Sequence, residues 1–239
     1  MLPKFMVIGA MKCGTTSLYL YLSRHPDLVN SELKETNFFK TDQDMSKGIE
    51  WYKNLFRAER GFAYESSPNY TKRHLFEGVP ERIHSVVPNI KLIYLVRNPA
   101  DRIFSHYVHR LSKNKEDKSF QEIVRQKDNN YYKVSQYFYQ IEPYLNVFPK
   151  ENIKIILSED LRDKPIKTMK SICQFLDISE EFHRKVLKKR YHSSEEKLAE
   201  ISKISDMPVM SLDDRKEILS FLSDDLCSFK RTFNIDLPY

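Results

Sequence analysis

Four short runs of apolar, β-branched or aromatic residues stand out from a polar chain: Phe5–Gly9, Phe62–Glu65, Leu92–Val96 and Ile153–Leu157. They are continuous, not alternating. That is the pattern of strands covered on both faces, so it predicts a parallel sheet. Between them lie segments of helical character. The first runs from about Thr16 to Arg24 and stops at His25-Pro26, because the residue before a proline avoids the α region. Another opens with Asn98 as N-cap and Pro99 at the first helical position. Val134, Tyr137, Phe138, Ile141, Tyr144, Leu145 and Phe148 follow i, i+3, i+4, i+7 spacing, which predicts one longer helix with an apolar face. A last helix opens at Ser211, with Asp214 three residues on in a capping-box pattern, and turns Ile218, Leu219, Leu222, Leu226 and Phe229 inward. Strands alternating with helices give an α/β fold: one domain over residues 1–239, a mostly parallel central sheet flanked by helices, with a strand, a phosphate loop and a helix near the N-terminus.

Composition narrows this picture only slightly. A chain of 239 residues is long enough for a real core in one domain, and 41% hydrophobic with 30% charged residues is ordinary for a globular protein. The net charge of +6 and a pI near 9.0 favour anionic partners. Cys13, Cys173 and Cys227 show neither CxxC pairing nor metal-ligand spacing, which points to a reducing compartment and away from a disulfide scaffold or a zinc site. No apolar run reaches membrane-spanning length, and Phe5-Met6-Val7-Ile8 follows Met1 too closely for a signal peptide, so a cytoplasmic location is expected. No known nucleic-acid motif is present, and aromatic residues do not interleave with the basic runs as stacking platforms do.

The chemistry concentrates after the first strand, in Gly9-Ala10-Met11-Lys12-Cys13-Gly14-Thr15-Thr16-Ser17-Leu18. Two glycines allow a tight turn that aims backbone N–H groups at an anion. The N-terminus of the following helix adds partial positive charge and free donors, and Thr15, Thr16 and Ser17 add hydroxyls. A nucleotide triphosphatase loop shares the Gly-x4-Gly spacing but continues Gly-Lys-Ser/Thr. Here Thr15 follows the second glycine and the lysine comes earlier, at Lys12. A kinase or hydrolase would also want a strand-end Asp for Mg²⁺, whereas Leu92–Val96 ends in Arg97. The remaining alternatives are a plain strand-to-helix turn and a non-catalytic module for anionic ligands.

Read on to His25-Pro26, this segment resembles the 5′-phosphosulfate loop of sulfotransferases that use 3′-phosphoadenosine 5′-phosphosulfate (PAPS), with the carbohydrate (heparan-type) and bacterial members most similar. The resemblance continues in order through Lys34-Glu35-Thr36-Asn37-Phe38-Phe39, then Gly48-Ile49-Glu50-Trp51-Tyr52 with Phe56, then Glu65-Ser66-Ser67-Pro68-Asn69-Tyr70. It extends through Arg97-Asn98-Pro99 with Arg102 and Ser105, then Tyr137, Gln140, Tyr144 and Phe148-Pro149, similar to the family's central helix, and Glu159-Asp160-Leu161, similar to the end of its following strand, spanning about residues 5–161.

The resemblance implies transfer of a sulfuryl group from PAPS to a hydroxyl or amine of a carbohydrate or small molecule by in-line displacement, leaving the 3′,5′-bisphosphate PAP. It implies no metal. Cys13, Gly14, Thr15, Thr16 and Ser17 would hold the cofactor with Lys12, which would also follow the charge growing on the leaving oxygen. Glu35 would be the general base, with Phe38 and Phe39 expected to desolvate it and raise its basicity. Arg97 and Ser105 would bind the 3′-phosphate, a group that suits the planar guanidinium fork; an arginine at a strand end can instead cap a helix. Lys34 suits either an anionic contact or solvent. Many heparan-type relatives carry lysine where Ser66 stands, which removes a cation that would meet a sulfated or carboxylated glycan. The late basic cofactor loop has two candidate regions, Lys188-Lys189-Arg190-Tyr191-His192 and Lys203, and both also read as a solvated face. The Tyr131–Tyr139 stretch suits an acceptor cleft, with Tyr137 and Phe138 better read as core.

Overall fold

The computed structural model describes residues 1–57, 61–182 and 208–238. In chain order the elements begin β1 (Phe5–Gly9), α1 (Thr15–Leu22), β2 (Leu28–Asn30), α2 (Asp42–Met45), α3 (Ile49–Asn54) and β3 (Phe62–Ser66). A 3₁₀ turn (Pro68–Thr71), α4 (Val79–Val86), β4 (Lys91–Val96), α5 (Pro99–Leu111), α6 (Phe120–Arg125), α7 (Asn130–Ser135) and α8 (Tyr137–Leu145) follow. The chain continues with β5 (Ile153–Leu157), α9 (Ser158–Asp163), α10 (Pro165–Leu176) and α11 (Leu212–Phe233). The expected α/β class with a parallel sheet is therefore observed. The chain packs as two compact units, one built on residues 1–96 with the segment that starts at Gln140, the other on Arg97–Tyr139 with the C-terminal segment.

The first unit holds the sheet, in the order β2-β3-β1-β4-β5 with every neighbouring pair parallel. All five residues of β1 are buried, as the continuous apolar run requires for a strand covered on both faces. Phe5 stacks on Tyr64 of β3 with centroids 4.9 Å apart, and burying a side chain of this size contributes about 1.5–3 kcal/mol. β1 lies between β3 and β4, so the chain leaves it to one side and later returns on the other. The carboxyl ends of strands at such a reversal are where open α/β sheets bind ligands, and the loop after β1 begins there.

The second unit is helical. Asn98 Oδ1 caps α5 by accepting from the Asp101 N–H at 3.1 Å, as its sequence predicts. Arg102, fully buried, donates Nε to Ser135 Oγ at 2.5 Å and its fork to the Tyr131 carbonyl, tying α5 to α7. The Ser211–Asp214 capping box at the start of α11 forms with both of its bonds, and Ile218, Leu222, Leu226 and Phe229 are buried while Leu219 is half-buried. Phe229 meets the Tyr137 ring at 6.1 Å.

Two sequence expectations change. The single helix through Val134 and Phe148 is two, α7 and α8, because Asp225 of α11 accepts the Phe138 and Tyr139 N–H groups at 3.0 and 2.8 Å. A carboxylate there serves the new helix's first amides, which would otherwise have needed carbonyls of α7. The segment Glu159-Asp160-Leu161 is not a strand end: β5 closes at Leu157 and α9 starts at Ser158. Among the described residues no helix is long and apolar enough to cross a membrane.

Candidate active site

In the first unit the loop between β1 and α1 is held at its base by backbone bonds. Ala10 N–H donates to the Leu95 carbonyl of β4 at 2.8 Å, and Cys13 N–H to the Ala10 carbonyl at 3.2 Å. Gly9 sits where a side chain has no room: a Cβ would lie 1.9 Å from Thr71 Oγ1, which itself donates to the Ile8 carbonyl. Lys12 takes a positive φ of 71°, unusual for a residue with a side chain. Gly14, at φ 91°, is the N-cap of α1 and gives the helix no side-chain cap. The first N–H groups of α1 have no partner within the helix, and no acidic residue lies in its first turn. Cys13 and Thr15 are buried, while Lys12, Gly14, Thr16 and Ser17 are half-buried.

The Lys34-Glu35 segment meets this loop. Lys34 Nζ lies 3.0 Å from Thr16 Oγ1 and 3.1 Å from Glu35 Oε1, so one ammonium bridges the candidate base and the candidate phosphate loop. Both side chains reach solvent, at 26% and 42% exposure. A surface pair of this kind is worth about 0–1 kcal/mol, little enough for an incoming anion to displace. Phe38 and Phe39 do not desolvate Glu35. They turn into the core, where Phe38 stacks on Tyr52 at 4.5 Å and Phe39 meets Tyr52 and Tyr70 edge-on at 5.1 and 6.1 Å. Their burial drives the chain inward after Glu35 and leaves the carboxylate at the surface.

Glu65 is the feature that the sequence left unassigned. It lies near the end of β3 with no exposed surface. Four hydroxyls donate to it: Thr36 at 2.5 Å, Tyr52 at 2.6 Å, Ser67 at 2.7 Å and Tyr70 at 3.2 Å. Burial pushes its carboxyl above the ordinary range, and the four donors partly offset this. A hydrogen bond to a charged group is worth about 1.5–3 kcal/mol, which is how a carboxylate can be buried here among hydroxyls. The one sequence signal was an acidic residue inside an apolar strand. The neighbouring Ser66 is also fully buried, and its Oγ has no hydrogen-bond partner among the described residues.

In the second unit, Arg97 follows the last residue of β4. Its backbone is clasped by Tyr137, whose hydroxyl accepts from the Arg97 N–H at 3.3 Å and donates to the Arg97 carbonyl at 2.9 Å. Tyr137 thus has a polar duty beyond core packing. Ser105 lies on α5, 5% exposed. The basic candidates Lys188–His192 and Lys203 lie outside the described residues.

A family model described as "Sulfotransferase domain" matches residues 2–218. The chain belongs to the sulfotransferase domain family. As its phosphate loop implied, it carries a sulfotransferase domain. It is 33% identical over 190 residues to the mouse heparan sulfate glucosamine 3-O-sulfotransferase 5, covering 74% of this chain and 54% of that protein. It is 32% identical over 206 residues to the mouse bifunctional heparan sulfate N-deacetylase/N-sulfotransferase 3, covering 76% of this chain and 23% of that protein. The sulfotransferase thus spans about a quarter to a half of the length of these relatives. The crystal structure of a sulfotransferase from Alicyclobacillus acidocaldarius superposes with a TM-score of 0.81 at 28% identity, covering 99% of this chain and 98% of that one.

Proposed function

We propose that this sulfotransferase moves the sulfuryl group of PAPS to a hydroxyl or amine of a carbohydrate or small-molecule acceptor, with Lys12 and Glu35 as its catalytic residues. The observation that carries this reading is the Lys34 bridge, which puts Glu35 and the loop's Thr16 on one ammonium. The loop fits an anionic group: an uncapped helix terminus opened by Gly14, no acid in the first turn, two half-buried hydroxyls and Lys12. PAPS supplies the activated sulfuryl group and a phosphate as the leaving group.

The roles of the chain's own residues follow from their chemistry. The loop amides from Cys13 onward, with Thr15, Thr16 and Ser17, hold the 5′ end. Lys12 stabilises negative charge gathering on the leaving oxygen. Lys34 turns from Glu35 to the bound anion, which frees the carboxylate to take the acceptor's proton. Arg97, its backbone set by Tyr137, recognises the 3′-phosphate with Ser105.

Ser66 bears on the acceptor. Buried and uncharged, it presents no cation to a polyanionic chain, so the reading favours acceptors that are neutral at this point. The enzyme is to be incubated with PAPS and a panel of neutral glucosamine oligosaccharides, heparosan, p-nitrophenol and long-chain alcohols, with sulfate gain read by mass. A gain on neutral acceptors that persists in EDTA is expected. Transfer to heparosan alone would overturn the acceptor reading, and transfer that stops in EDTA and returns with Mg²⁺ would overturn the metal-free one.

A further inference from the structure

The hydroxyls around Glu65 do a second job. Ser67 Oγ accepts from the Asn37 N–H at 3.2 Å, Thr36 Oγ1 from the Phe38 N–H at 3.3 Å, and the Tyr70 hydroxyl from the Phe39 N–H at 3.2 Å. Three successive amides just after Glu35 therefore end on three oxygens whose protons all point at one carboxylate. A hydroxyl has a single proton, so giving it to Glu65 leaves only lone pairs for the amides. The segment is tied on its other side as well, where Ser66 N–H donates to the Lys34 carbonyl at 3.1 Å. Asn37 takes a φ of 52°, and its side chain donates to the Glu35 carbonyl at 3.3 Å.

We propose that Glu65 is a positioning residue for Glu35: its buried carboxylate sets the direction of the Ser67, Thr36 and Tyr70 hydroxyls and thereby fixes the backbone of residues 35–39. The proposal rests on the reading of Glu35 as the general base. It explains why a strand of the core carries an acid with no cation against it among the described residues, because a Lys or Arg in the cluster would take the place of the hydroxyl donors. Glutamine cannot replace it. An amide has one oxygen to accept and an NH₂ that donates, so the hydroxyls facing the nitrogen must turn their protons away to another acceptor. Their oxygens, now also accepting from the NH₂, no longer hold the direction that serves the backbone amides.

Amide hydrogen exchange of the protein without ligands tests this directly. In Glu65→Gln, the amides of Asn37, Phe38 and Phe39 are expected to exchange at least about tenfold faster, with those of β1 and β4 unchanged. That separates a local release from general destabilisation. On an acceptor that gains sulfate in the panel above, kcat should fall by about 10²-fold, the cost of a base displaced by about an ångström, while KM for PAPS stays within threefold. In a Glu35→Gln background, Glu65→Gln should add little, since the two residues act as one unit. Unchanged exchange at residues 37–39, or faster exchange throughout the sheet, overturns the proposal. Ser67→Ala carries the same test if Glu65→Gln does not fold. It removes the Asn37 acceptor and one of the four donors to Glu65 but keeps the carboxylate with Thr36, Tyr52 and Tyr70 on it. The Asn37 amide should speed up most, and an unchanged rate there is equally fatal. A Glu35→Gln enzyme with wild-type turnover would remove the base assignment and leave the exchange data to decide on Glu65.

Discussion

Glu35→Gln is expected to lower turnover by about 10²–10⁴-fold while adenosine 3′,5′-bisphosphate binds as tightly as before. The substitution keeps the shape of the side chain and removes its basicity, and a positioned general base contributes about that much to rate. Cofactor binding should survive because the loop's own ties, from Ala10 to Leu95 and Cys13 to Ala10, do not involve residue 35. Exposure of the carboxylate suits the role: an acceptor must reach it, and the core is left to Phe38 and Phe39. Steady-state kinetics with saturating PAPS, paired with calorimetry on the bisphosphate, reads both quantities. A variant that loses affinity but keeps its rate per bound cofactor would make Glu35 a binding residue instead.

Lys12→Ala should slow the chemical step by about 10²–10³-fold, the usual cost of one electrostatic contact to a developing oxyanion. Its effect on bisphosphate affinity should be much smaller, because helix N–H groups and the Thr16 and Ser17 hydroxyls remain. The positive φ of Lys12 gives this a structural basis, since a side chain held in a sparsely populated conformation marks a functional constraint more often than an accident. Single-turnover measurements with PAPS separate the chemical step from product release. Wild-type single-turnover rates from the alanine variant would take Lys12 out of the mechanism.

The parallel sheet was legible because strands covered on both faces write themselves as apolar runs: β1 and, after Lys91, β4 do so without a break, and β3 and β5 do so with one charged residue each, Glu65 and Lys154. β2 did not: it is three residues long at the sheet's edge and carries Asn30, too short for any periodicity. Caps were legible where they are local, at Asn98 and Ser211. The break between α7 and α8 was not, because its cause is Asp225, 87 residues along the chain from Phe138. The loop with Lys12 and Gly14 could be read from glycine spacing and helix onset. Glu65 could not, because its donors come from the turn after Glu35, from α3 and from the segment after β3. The same gap explains the error about Phe38 and Phe39: adjacency in sequence suggested a wall around Glu35, whereas the aromatic partners that claim those rings are Trp51, Tyr52 and Tyr70.

Preference for a 3′-phosphate separates a PAPS enzyme from other adenine-nucleotide proteins, and it tests the central claim most directly. Calorimetry should show adenosine 3′,5′-bisphosphate binding at least about tenfold more tightly than ADP, since one charge-assisted contact is worth about 1.5–3 kcal/mol and 1.4 kcal/mol is tenfold. Arg97→Ala should erase most of that preference and leave AMP affinity nearly unchanged. Equal affinity of the wild-type protein for the bisphosphate and for ADP would contradict the account at its root.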